Sequence, residues 1–429
     1  MAADTKKELR NQLLYSIFVR DYGKNGNFSD VEKDLDRIKD LGTDIIWLMP
    51  IHPIGEKGRK GSVGSPYAIK DYRAINPDFG TPEDFERLVN AIHEKGMKCI
   101  IDVVYNHTSP DSVLTKEHPE WFRRNEKGEA IPKVPDWYDI VDLDYSHRDL
   151  WDYQIETLKY WAKYVDGFRC DVAPMLPLEF WKEAREEVGK VRPDAFWLAE
   201  SVDGGFVRVL RKDGEICLCD NEIYQAFDAT YDYDIFSSWK DYLTGEGTLS
   251  SYLHELNRQE MIYPDNYIKM HFLENHDRQR AAALTSDPDL LRHQTAFSFF
   301  EKGLAFLYNG QERSATVHPT LFETDPIDWS GTDLSDLIKR MMKIKRSKIM
   351  AEGQFSAREI REGVVCAVYE MPGEKLYGFF RVGAKECAVN APLPESEFVN
   401  EYNGKKLDLH ERVLFIGEDP VIVRVKEGE

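Results

Sequence analysis

The feature that most restricts the fold of this 429-residue chain is an alternation of short apolar runs with amphipathic helical stretches, repeated along about its first 350 residues. Residues 13–19 read as a strand, and Ser29 as the N-cap of a helix that carries Val31, Leu35, Ile38 and Leu41 on one face and stops at Gly42. The unit then recurs. Residues 45–48 form a second strand, Thr81-Pro82 opens a helix with Phe85, Leu88, Val89 and Ile92 inward, and Gly96 closes it before a strand at 98–103. Further strands are expected at 165–171, 196–199, 226–230, 267–273 and 304–307, with helices at 178–188, 290–300 and 334–348.

Eight such units predict an α/β fold, a closed (β/α)8 TIM barrel whose chemistry sits where strands end and loops begin. An open doubly wound sheet would need a Gly-rich phosphate turn after an early strand, and residues 20–28 do not provide one. The stretch after the third strand is too long for an ordinary connection and predicts an inserted loop domain. Beyond Ala351 the helical period vanishes, and strands at 364–370, 375–382, 387–389, 412–416 and 420–425 predict a C-terminal antiparallel β-sandwich. The expected division is therefore barrel 1–106, insertion 107–148, barrel 149–350 and β domain 351–429.

Fifty-six Lys and Arg against 76 Asp and Glu give a net charge of −20, which disfavours nucleic acid and anionic membrane surfaces as partners. No apolar run approaches the roughly 18 residues of a membrane span, and the polar residues 3–11 lack the apolar centre of a secretory signal, so a cytoplasmic location is expected. An oligomeric state is not assigned. The six cysteines are read as reduced, and Cys217 with Cys219 lacks the spacing and companions of a zinc site.

Polar residues gather at the strand ends: Asp102-Val-Val-Tyr-Asn106-His107, Gly167-Phe-Arg169-Cys-Asp171, Leu-Ala-Glu200 and Phe-Leu-Glu-Asn-His276-Asp277. Singly, each is explained as a helix cap, a salt-bridge partner or a hydrogen-bonded packing residue. A barrel, however, brings its strand ends to one mouth, so Asp171, Glu200 and Asp277 are expected to meet there. Crowded carboxylates raise at least one pKa, as a general acid requires, while Arg169, two residues before Asp171, projects to the same side of its strand and keeps that partner ionised. Such a layout suits glycoside cleavage.

In this order the four motifs resemble those of the α-amylase family of glycoside hydrolases, over nearly the whole chain. The resemblance implies Asp171 as nucleophile, Glu200 as acid/base and Asp277 as the third carboxylate, which binds sugar hydroxyls. It implies a substrate-binding set of Tyr67, stacked under the sugar, with His107, His276, Arg169, Arg280 and Asp102; Arg169 orients Asp171 and Asp102 braces the site. Trp121, Phe122, Trp137 and Tyr138 are either further stacking surfaces or a small core under the insertion. No cofactor is required. Asn106 and Asp142 match positions that hold a structural calcium in many amylases, but Val-Ala-Pro-Met follows Asp171 in place of the Lys-His ending of calcium-dependent members, and residues 22–27 lack the acidic first loop of other calcium binders. Val172-Ala173 is similar to the neopullulanase and maltogenic amylase branch. The activity expected is retaining hydrolysis of α-1,4-glucosidic bonds in maltooligosaccharides, starch or glycogen fragments; alternatives are a 4-α-glucanotransferase, a trehalose-forming isomerase or a catalytically silent binding protein.

Overall fold

A computed structural model describes residues 4–426. Its first 350 residues supply, besides one short ladder in the insertion, eight barrel strands: β1 (Leu13–Ile17), β2 (Ile45–Leu48), β3 (Lys98–Val103), β4 (Gly167–Cys170), β5 (Phe196–Ala199), β6 (Ala229–Tyr231), β7 (Lys269–His271) and β8 (Gly303–Tyr308). All pair in parallel and close in the order β1-β8-β7-β6-β5-β4-β3-β2, so the predicted barrel forms. The strands are buried on both faces, which is why most of them read as continuous apolar runs and not as alternations; the buried Arg169 of β4 and the buried Lys269 and His271 of β7 break the pattern.

Local chemistry sets the boundaries. The helix Pro82–Glu94 begins at a capping box in which Thr81 and Asp84 satisfy each other's backbone amides, an arrangement worth about 1 kcal/mol, and Gly96 follows its end with φ 67°. The preceding helix is capped by Asn27, not Ser29, because the Asn27 side chain accepts from Asp30 N; it runs Phe28–Lys33, breaks at Asp34 and resumes as Leu35–Asp40. Its inward face, with Val31, Leu35 and Ile38, is as expected. β1 ends at Ile17, two residues early, because Phe18 N donates to the Asn309 side chain and the chain turns into a helical turn at Val19–Tyr22.

β4 and β5 approach so closely that a Cβ on Gly167 would lie 2.1 Å from Phe196 O. That contact lies at the starts of both strands, where Gly167 pairs with Phe196, and the same register puts Asp171 and Glu200 side by side beyond their ends. The segment after β3 pairs His107–Thr108 with Val141–Asp142 in a small antiparallel ladder and buries Leu114, Trp121 and Phe122 beneath it.

The C-terminal part is antiparallel. β9 (Gln354–Arg361), β10 (Val364–Met371), β11 (Glu374–Arg381) and β16 (Val421–Lys426) form a four-stranded sheet. β12 (Cys387–Asn390) pairs with β15 (Val413–Ile416), and β13 (Glu397–Val399) with β14 (Lys406–Asp408). One face of the sheet joins the barrel core through Tyr369, Leu376 and Phe380, while the other meets Val389, Leu414 and Ile416 in a second core. The sandwich is thus a sheet against a short ribbon. Among the described residues, no helix is long and apolar enough to cross a membrane, and all six cysteines are free.

Candidate active site

Asp171 and Glu200 stand one residue beyond β4 and β5. Asp171 N donates to Val103 O at 2.9 Å and Glu200 N to Cys170 O at 3.0 Å, so the ladders continue through both residues and fix adjacent carboxylates at the mouth. Beneath them lies Arg169, fully buried. Its Nη1 donates to Asp102 Oδ1 and Asp171 Oδ1, each at 2.9 Å, and its Nη2 lies 2.9 Å from Glu200 Oε2 but off the line of a hydrogen bond. The guanidinium also rests against the rings of Trp47, Tyr67 and Tyr231 at 5.0, 5.7 and 5.4 Å.

One cation therefore faces three buried carboxylates, and the surplus negative charge shows in their acidities. Burial pushes Glu200 up to about 8; Asp171 and Asp277 add to the rise, while Arg169 and the Val172 amide oppose it. Asp171 is pushed up to about 7, again mainly by burial. The expectation that Arg169 keeps Asp171 ionised holds in direction only, since desolvation outweighs the ion pair.

Val172 occupies the left-handed region at φ 35°, costly for a β-branched residue. That turn aims its amide at Glu200 Oε2, 2.9 Å away, and fixes the carboxyl. The Tyr67 hydroxyl donates to Asp102 Oδ2 at 3.1 Å and lies 2.8 Å from His276 Nε2, which in turn is 3.2 Å from Asp277 Oδ2. His107 Nε2 is 3.9 Å from Asp171 Oδ2. Burial pushes His107 and His276 down to about 4, so both are neutral near pH 7 and offer hydrogen bonds without charge.

Tyr67, His107, Asp171, Glu200, His276 and Asp277 line one cavity of about 420 Å³. Three other residues expected to bind substrate do not line it. Arg169 and Asp102 lie under its floor, where they can position Asp171 and Tyr67 without touching a ligand. Arg280 points away altogether: it is fully buried, donates to Glu274 Oε1 at 2.6 Å, Asn309 O at 3.0 Å and Val317 O at 3.2 Å, and holds the loops after β7 and β8 together. The arginine that reaches the cavity is Arg278, packed on the Tyr233 ring.

The aromatic residues of the insertion divide. Trp121 and Phe122 are core, Trp137 lines the cavity, and Tyr138 is 65% exposed. Asn106 and Asp142 do meet, 3.4 Å apart, but Lys133 Nζ donates to Asn106 Oδ1 at 2.8 Å and lies 3.7 Å from Asp142 Oδ2. An ammonium among the donors does not fit a dication site. Lys60, Asp139, Phe206, Leu321 and Phe322 also line the cavity and went unpredicted. They lie on loops and on a short exposed helix, where side-chain periodicity says nothing about direction; the signal available was the length of the loops after β2 and β8.

A constellation of buried carboxylates, neutral histidines and an aromatic ring suits attack at the anomeric carbon of an uncharged sugar. A family profile described as "Alpha amylase, catalytic domain" matches residues 12–140 and 134–352, and one described as "Bacterial Alpha amylase C-terminal domain" matches 356–423. The structure is similar to that of an α-amylase from Lactobacillus plantarum, with TM-score 0.95 and 45% identity over 98% of this chain and 100% of that one. It also resembles a noncanonic maltogenic α-amylase from Thermotoga neapolitana, with TM-score 0.86 and 33% identity over 98% and 99% of the two chains. An α-1,4-glucan:maltose-1-phosphate maltosyltransferase from Myxococcus xanthus is 30% identical over 280 residues, 59% of this chain and 39% of that protein. The chain spans under two thirds of the length of such curated relatives.

Proposed function

This chain belongs to the α-amylase family of glycoside hydrolases and transferases, and we propose that within it the protein is a retaining hydrolase of α-1,4-glucosidic bonds in maltooligosaccharides and starch or glycogen fragments. One observation carries the retaining mechanism: Asp171 and Glu200 share the guanidinium of Arg169. Two carboxylates on one guanidinium lie close together, which favours the short separation of roughly 5–5.5 Å that a retaining nucleophile and acid need over the wider gap of an inverting pair.

In the first step an Asp171 oxygen attacks the anomeric carbon, the bond to the bridging oxygen breaks, and Glu200 gives that oxygen its proton. A raised pKa keeps Glu200 protonated for this task at neutral pH. In the second step Glu200, now ionised, takes a proton from water as its oxygen attacks the same carbon; the bond to Asp171 breaks and configuration is restored. Asp277 and the neutral histidines hold the ring hydroxyls, and Tyr67 lies beneath the sugar.

A second reading has its own support. Val172, Val202 and Phe206 give the cavity an apolar flank next to Glu200, a surface suited to seating a sugar acceptor and excluding water, as in a 4-α-glucanotransferase or a trehalose-forming isomerase. Incubation with maltotriose decides between them. Hydrolysis yields glucose and maltose alone; products longer than the substrate, or a non-reducing isomer of the same length, would transfer the assignment to the second reading.

A further inference from the structure

The barrel's strand order fixes which side of the cleft receives which half of the substrate. Glu200 follows β5, and the flank beside it, where Val202 and Phe206 stand, faces the group that departs with the protonated oxygen. Four strands away in either direction around the closed ring lies β1, with β2 and β8 on its two sides. The loops after β2 and β8 therefore border the end of the cleft that faces the retained sugar, beyond the hydroxyl through which a glucan continues towards its non-reducing end.

These loops are joined to each other and to the insertion. Lys60, after β2, pairs with Asp139 at 2.8 Å and donates to Asp136 O at 3.1 Å, both in the insertion. The same ammonium lies 4.4 Å from the Tyr138 ring centre and 5.8 Å from that of Phe322, after β8. Val63 N and Gly64 N each donate to Phe322 O at 3.1 Å, and Ser62 bonds the Glu323 carboxylate through both its amide and its hydroxyl. Gly61 permits the approach: a Cβ there would sit 2.5 Å from Phe322 O. From below, Arg20 donates to Gly64 O, Leu321 O and Glu323 O at 3.0, 3.1 and 3.2 Å. Three segments from distant parts of the chain thus form a continuous wall, with Lys60 as its knot.

We infer that this Lys60-centred clasp closes the cleft on the non-reducing side, so that the enzyme works from that end of its glucan and retains at most about two glucosyl units, a ligand of the size such a cavity encloses. The inference rests on the α-glucosidase chemistry proposed above. Lys60 is a specificity-determining residue here; it takes no part in bond cleavage.

The test compares, by chromatography of the products, two maltoheptaosides, one with a free non-reducing terminus and one whose terminal glucose there carries a blocking acetal. The wild-type protein is expected to cleave the free substrate at least about 100-fold faster than the blocked one. Lys60→Ala and Asp139→Ala, each checked for folding by circular dichroism, are expected to raise cleavage of the blocked substrate about tenfold or more, with smaller changes on the free one. Equal wild-type rates on both substrates would overturn the inference, and so would folded variants as selective as the wild type. Cleavage of neither substrate would overturn the α-1,4-glucosidic reading itself, and the role of the clasp with it.

Discussion

Two buried arginines, Arg169 and Arg280, each lie within three residues of one of the clustered carboxylates in sequence, Asp171 and Asp277 respectively, yet they build opposite kinds of environment. Arg280 meets one carboxylate, Glu274, whose second oxygen accepts from Ala281 N at 2.7 Å, and its remaining donors end on backbone carbonyls. One cation meets one carboxylate there and every donor nitrogen has an acceptor, although burial still raises the Glu274 carboxyl. Arg169 meets Asp102, Asp171 and Glu200 together, leaves Nη2 without a well-aligned acceptor, and lets Glu200 rise to about 8. A buried pair that balances holds loops in place. A buried cluster with more carboxylates than cations stores the proton that an acid catalyst needs.

The largest effects should come from removing carboxyl groups at the unbalanced cluster and the cavity above it. Asp171→Asn and Glu200→Gln each delete a chemical role and almost no volume, so turnover is expected to fall at least about 10³-fold while the melting temperature stays near or above that of the wild type. Asp277→Asn is expected to lower turnover severely as well, and not merely to raise KM. Near-normal kcat in any of the three would break the contrast. Arg280→Met is the converse case. It strands Glu274 without its partner, which costs about 3–5 kcal/mol of stability in denaturant titrations, while the folded fraction turns over within a few-fold of the wild type. Lost turnover at unchanged stability would instead place Arg280 on the substrate side.

That same contrast explains what could be read from the sequence. β3 and β5 were legible to the residue because each is a short apolar run bounded by a helix stop or a loop, and the Thr81–Asp84 box marks its helix by chemistry alone. β6 and β7 were found with misplaced ends, because only three residues of each pair in the barrel while their flanks are just as apolar. β9 and the β13–β14 pair were missed: their outward residues are polar, and the cores they touch belong to other segments. That Asp171, Glu200 and Asp277 line one cavity could be foreseen because strand ends of a barrel converge. The direction of Arg280 depends on the turn after Asp277, and no local pattern encodes it; Arg278, two residues earlier, reaches the cavity in its stead. Lys60 and Phe322 meet only through loop-to-loop contacts, which leave no periodic trace.

A smaller effect should appear in the pH dependence of kcat/KM. Asp171 must be ionised to attack, so activity falls as pH drops below about 7, where that carboxylate takes up its proton. Glu200 must be protonated to act as acid, so activity falls again as pH rises past about 8. The two limbs belong to the pair jointly, since each group shifts the other. Arg280→Met should leave this bell unmoved, as its own cluster contributes no proton to the reaction. A displaced bell in that variant would show that the two arginine environments are electrostatically linked.

The smallest expected effect is none at all, and it extends the comparison to a third buried charge. At Asn106 and Asp142 the cation is Lys133, tethered by its own chain, and its bond to Asn106 Oδ1 ties the loop at 133 to the end of β3. A tethered ammonium cannot be removed by a chelator, whereas a bound dication stabilises the folded state in proportion to its occupancy and is lost when the free metal is withdrawn. Overnight dialysis against a chelator is therefore expected to leave both the melting temperature and the rate on maltotriose unchanged, and added calcium to change neither. A fall in either quantity that calcium reverses would mean that a metal contributes to this fold, and loss of that response in an Asp142→Asn variant but not in an Asp149→Asn variant would place the metal beside Lys133 and not at His118, Glu120 and Asp149.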